Sequence, residues 1–201
     1  MRIDQIMLGE MIGSEAVGVH SAALRLSEVW YMIPMIIVAS LFPNIIEAKK
    51  NSQELFNRRM QSLLNFLATL AIGIALVGTF VGDWLILLIY GPEYADASEV
   101  LKIHIWSGVF VFVGVAGSNW YLVENLQRLN LSRTIVGAVI NIFLNVILIP
   151  SYGIVGAAIA TVISQGFSAY LLDITSTKSR ALFRAKTQAL VKGPYLLLKS
   201  I

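Results

Sequence analysis

The chain of 201 residues has no cysteine, two histidines and five prolines, and charged side chains make up only 13% of it. The missing cysteines exclude disulfides, thiolate metal sites and a cysteine nucleophile. His20 and His104 have no matching carboxylate cluster in the sequence, so no metal site is expected. Soluble domains carry about one quarter charged residues, roughly twice the share found here, which excludes a soluble globular domain. No glycine loop able to cradle a phosphate occurs, and no spacing sets a nucleophile beside its base or pairs two acids at a membrane surface. Neither an enzyme nor an ATP-driven pump is expected, and no cofactor is implied.

What the chain has instead is apolar length. Hydrophobic residues make up 57% of it, and the mean hydropathy of +0.74 belongs to a membrane protein. Five apolar runs, 17–42, 63–88, 103–123, 135–149 and 154–172, mostly approach the twenty or so residues that cross a bilayer core as helix. The expected fold is all-α: a polytopic bundle of about five spans, with a partial helix before them.

Charge orients the spans. Twelve of the fifteen Lys and Arg fall in alternate segments: Lys49, Lys50, Arg58 and Arg59 after the first run, Arg128 and Arg133 after the third, and six in the C-terminal segment. By the positive-inside rule these segments are cytoplasmic. The second connection carries Glu93, Asp96 and Glu99 against Lys102, and the fourth, Pro150 to Gly153, carries no charge, so both face outward. The net charge of +3 is explained by the cytoplasmic loops, pointing to the anionic inner leaflet rather than to nucleic acid. The expected location is the inner membrane, multi-pass, with the C-terminus in the cytoplasm.

Residues 1–9 read as the end of a transmembrane helix whose beginning is missing, 10–174 as the bundle, and 175–201 as a basic cytoplasmic tail. Asp4, Glu10 and Glu15 interrupt the place where a signal peptide's apolar core would lie, so insertion is expected to rely on the spans. Pro34 is expected to kink the first span, and Pro43 with Asn44 to end it. Gly78 and Gly82 favour close helix packing within the bundle.

Polar groups at membrane depth are costly, and so they are the functional candidates. Arg25 and Glu28 lie three residues apart on one helix face and can pair. Such a pair either neutralises itself for insertion or places an arginine beside a path for an anionic group. Asn65, Asn119, Asn141, Asn145 and Gln165 are expected in the polar interior of the bundle, mainly as interhelical hydrogen-bonding groups.

Three stretches resemble a known family. Arg2-Ile3-Asp4-Gln5-Ile6-Met7-Leu8-Gly9, followed by Ala16 to Ala23 and Arg25-Leu26-Ser27-Glu28, is similar to the start of the C-terminal half of Wzx-type O-antigen flippases. These form the polysaccharide transport family of the MOP exporter superfamily. Ile89 to Ala97 with Val100-Leu101 resembles the family's outer loop, and Asn141 to Pro150 with Tyr152 to Thr161 resembles its late helical pair. The resemblance implies a transporter of two bundles around a central cavity. It would carry undecaprenyl-diphosphate-linked oligosaccharide repeat units outward for O-antigen, capsule or exopolysaccharide biosynthesis. On that reading the chain is an N-terminally truncated fragment. Arg25, then Arg2, would serve the phosphate or the substrate path, and Glu28 and Asp4 charge balance or ion coupling. Expected partners are the lipid-linked oligosaccharide, the bilayer, and either the missing N-terminal half or another polysaccharide assembly protein. The alternatives are a non-transporting half-bundle or interaction module, a drug or cation antiporter of the same superfamily, a peptidoglycan-precursor flippase and a glycan polymerase. The outer loops are short for the last.

Overall fold

The computed structural model describes residues 3–199, apart from the side chains of 194 and 196–199, and no strand occurs among the described residues. Helix α1 spans Ile3–Met11 and α2 spans Ser14–Glu28. Between them Gly13 sits at φ 126°, a conformation open to glycine because it lacks Cβ. A 3-10 turn, Val29–Tyr31, then leads into α3, Met32–Asn51. The break falls within the turn before Pro34, where its missing N–H and its ring disrupt the ladder, as expected. Pro43 does not end the helix, contrary to expectation: α3 runs through it to Asn51. Beyond Pro43, Ile45 and Ala48 are buried in a core with Phe56, Met60 and Leu63 of the next helix, and this packing offsets the lost hydrogen bond.

Helix α4, Gln53–Tyr90, has 38 residues and so extends roughly 57 Å, well beyond the bilayer core. Ser52 caps it, its side chain accepting from the Leu55 N–H at 3.0 Å. Its small residues admit close neighbours, Gly78 lying against Ile105 and Gly82 against Leu101. After Gly91, at φ 84°, come α5, Ala97–His104, and α6, Ser107–Val123.

Helix α7 is assigned as Gln127–Ala169 but reverses direction at Gly153, whose φ of 57° and ψ of −136° are not helical. Its two legs pack antiparallel. Arg133 meets Asp173, in the 3-10 turn Leu171–Ile174 that follows the second leg, across 40 residues, Asn141 meets Ser164 across 23, and Gly156 lies against Leu148 close to the bend. The apolar runs at 135–149 and 154–172 are these legs, so all five expected runs are helical. Helix α8, Arg180–Lys199, lies within the segment expected as a tail and is docked along α4, where Gln61 donates to the Ala185 carbonyl at 3.0 Å.

The connections sort to two ends of the bundle. Lys49, next to Ser52, pairs with Glu124, so the first and third connections meet. Gly153 lies beside Ile12, which puts the fourth connection next to the α1–α2 turn. The main core is built by α3, α4, α6 and α8; smaller ones join α2 to α5 and α7, and α1 to α7.

Candidate functional site

The most concentrated neutral polar chemistry lies where α1 meets both legs of α7. Asp4 is fully buried, and its carboxylate accepts from Asn145 Nδ2 at 2.9 Å and from Thr161 Oγ1 at 3.1 Å. Asn145 Nδ2 also donates to Asn141 Oδ1 at 3.3 Å, while Asn141 Nδ2 reaches Thr161 Oγ1 at 3.5 Å and Ser164 Oγ at 3.4 Å. Asn145 Oδ1 is buried with no partner among the described residues. The local sequence explains the convergence. Asn141 and Asn145 are one turn apart on the first leg, and the Gly153 reversal brings Thr161 and Ser164 of the second leg opposite them. Two carboxylate, two amide and two hydroxyl oxygens gather there. Such a donor set suits a proton or a hard cation, while the absence of thiolate and imidazole disfavours softer metals. Among the described residues no three His, Cys, Asp or Glu side chains cluster as metal ligands do.

Arg25 and Glu28 lie on the exposed side of α2, while Leu24 and Ser27 on its other side are buried. The pairing expected from their spacing is not formed: no salt bridge joins them among the described residues. Two long exposed side chains gain little by holding one geometry, so both remain available to solvent or ligand. Arg2 lies outside the described residues.

The remaining expected polar positions divide. Asn65 accepts from Gln61 at 2.8 Å, and its carbonyl accepts from Thr69, all within α4; Asn119 donates to the Val115 carbonyl within α6 at 3.0 Å. These bonds are intrahelical, not interhelical. Gln165 lines a cavity of about 330 Å³ with Tyr31, Ser118, Arg133, Thr134 and Ser168. The aromatic Trp30 lines a separate, apolar cavity of about 590 Å³ between α2 and α4. His20 and His104 are both buried; His104 Nδ1 is 2.7 Å from Ser27 Oγ, and neither ring nitrogen of His20 has a partner among the described residues.

A charged cluster was not anticipated. Arg133, counted as a loop residue, is buried inside α7, and Lys186, counted with the tail, is fully buried; Asp173 lies between them. One signal for Arg133 was in the sequence. Arg133, Gly137, Asn141 and Asn145 recur every four residues and form one stripe along the first leg.

A bundle of long apolar helices that buries a hydrogen-bonded carboxylate and exposes an arginine on one of its spans has the character of a polytopic transporter. Residues 1–147 match the MatE family, and the chain belongs to this family of membrane transporters. It is 31% identical over 175 residues to the probable flippase AglR of Haloferax volcanii, covering 84% of this chain and 36% of that protein. It is 30% identical over 173 residues to the probable low-salt glycan biosynthesis flippase Agl15 of the same organism, covering 81% and 34%. The capsular polysaccharide biosynthesis protein CapF of Staphylococcus aureus is 22% identical over 176 residues, covering 81% and 41%. The chain thus spans about a third of the length of the curated flippases it matches. No solved structure matches it.

Proposed function

We propose that this chain is part of a flippase that moves undecaprenyl-diphosphate-linked oligosaccharide repeat units across the inner membrane during O-antigen, capsule or exopolysaccharide biosynthesis. The observation that carries the reading is the similarity, over four-fifths of the chain, to two proteins named as flippases, one of them of glycan biosynthesis. The chemistry supports it. A diphosphate cargo needs cations within the bundle, and Arg25 is an exposed guanidinium on a span with no salt bridge among the described residues. Glu28, three residues on and unpaired with Arg25 in the structure, is the candidate for charge balance or ion coupling at this face. Asp4, within the oxygen-rich cluster, is the ion-coupling group: loading a proton or hard cation there changes the hydrogen bonds that tie α1 to both legs of α7. The ends bearing Lys49, Arg58, Arg59 and the C-terminal basic residues are cytoplasmic.

Restoration of surface polysaccharide in a flippase-deficient host tests this, using the complete protein as its own host makes it. Arg25→Ala is expected to lower export about tenfold, the scale of one charge-assisted contact, at unchanged membrane abundance. Wild-type polysaccharide from the variant would remove Arg25 from the path.

A further inference from the structure

The charged cluster of Arg133, Asp173 and Lys186 has no role in the reading built on Arg25 and Asp4. Lys186 Nζ donates to Asp173 Oδ2 at 2.5 Å and to the Ala169 carbonyl at 2.6 Å. Arg133 Nη1 donates to Asp173 Oδ1 at 3.0 Å, and Tyr121 Oη donates to the same oxygen at 2.8 Å. Arg133 is 7% exposed, and Asp173 and Lys186 are fully buried. One carboxylate therefore serves two cations, and among the described residues no second carboxylate pairs with either. A net positive charge held away from water is costly unless an anion can approach it.

Arg133 has capacity left for one. Its Nε is buried without a partner among the described residues, and its Nη2 makes only long contacts, 3.4 Å to the Gly114 carbonyl and 3.3 Å to Ser118 Oγ. Gly114, Ser118 and Arg133 all line the cavity of about 330 Å³. Of the other walls, Gln165 and Ser168 make no side-chain hydrogen bond among the described residues, so an amide and a hydroxyl donor are free there. The volume equals that of roughly ten waters, enough for a diphosphate with part of its hydration. A guanidinium wall opposes a cation, while Ser118, Thr134, Gln165 and Ser168 place polar groups in a lining otherwise formed by residues such as Val111 and Val115.

We propose that Arg133, with Gln165 and Ser168, binds a phosphate or diphosphate group in this cavity. As an anion site it rests on this geometry alone. As a station for the lipid-linked cargo it also rests on the flippase reading. Tyr31 connects the two arginines, following Arg25 by under two turns and lining the Arg133 cavity. Arg133 lies near the end of the bundle where Lys49 meets Glu124, so a diphosphate passing between Arg133 and Arg25 would change depth.

Trp120 is a built-in reporter, its ring 5.4 Å from that of Tyr121, whose face carries the Arg133 guanidinium. Inorganic diphosphate titrated into the complete protein in detergent should change tryptophan fluorescence saturably, and Trp120→Phe should remove most of the change. Arg133→Gln should weaken binding roughly tenfold or more, as loss of a charge-assisted hydrogen bond does. Gln165→Leu leaves the ion triad intact and should weaken it roughly threefold, so the test survives if the arginine variant fails to fold. Competition identifies the source of the group. Displacement by a polyprenyl diphosphate at lower concentration than by phosphatidylglycerol supports a cargo station, and equal displacement supports an anion site filled by bilayer headgroups. The absence of a saturable response, or wild-type affinity in both variants once folded, overturns the site. Neither result bears on Arg25, whose export phenotype is read separately.

Discussion

The two polar clusters of the bundle share the first leg of α7 and are built on opposite plans. At the Asp4 cluster, amides and hydroxyls from both legs surround a carboxylate carried by α1. At the Arg133 cluster, two cations from α7 and α8 share the carboxylate of Asp173. The first arrangement can take up positive charge by rearranging neutral hydrogen bonds. The second holds a surplus of positive charge next to a cavity of mixed polar and apolar lining. The difference is one of energetics as well as ligand choice. Neutral donors can be exchanged at modest cost, whereas a charge left alone in a buried site is expensive.

Substitutions sharpen this contrast. Asp173→Asn would leave two buried cations facing each other and is expected to cost about 3–5 kcal/mol, measured as loss of thermal stability in detergent. Lys186→Met should cost less, about 1–2 kcal/mol, because Asp173 keeps Arg133 as a partner. If the two variants were equally unstable, the description of one carboxylate shared by two cations would be wrong. Next comes Asn145→Leu, which removes a donor from Asp4 and is expected to cost about 1–3 kcal/mol by the same measurement. A larger loss than that of Asp173→Asn would reverse the comparison. The smallest effect belongs to the exposed Glu54–Arg58 pair, one turn apart on α4: Arg58→Ala should stay within about 0.5 kcal/mol of the parent.

Much of this architecture was legible in the sequence, because apolar length fixes where helices cross and Pro34 fixes where the first one breaks. The ending expected at Pro43 failed because sequence spacing does not show that Ile45 and Ala48 pack into the core. The site was legible as a set of residues and not as a set of contacts. Asp4, Asn141 and Asn145 were all named as candidates, yet Asp4 and Asn145 are 141 residues apart and meet only through the packing of α1 on α7. Arg25 and Glu28 had the spacing to pair and do not. The Arg133 cluster was hidden for a different reason: counting cations in loops assigns Arg133 and Lys186 to topology, and a buried lysine near the start of an amphipathic helix looks like a solvated one. The four-residue stripe on α7, not used in that count, is the sequence signal that could have put Arg133 on the inner face of its leg.

The central claim is that this chain contributes a cationic path for a lipid-linked anion, and its most direct test is translocation in purified liposomes. The complete protein, reconstituted with an undecaprenyl-diphosphate-linked oligosaccharide, should move the glycan to the opposite leaflet, where an added glycosidase can reach it. Arg25→Ala should slow that movement about tenfold at equal reconstitution. Equal rates for the two proteins, or no movement above protein-free liposomes, would contradict the account.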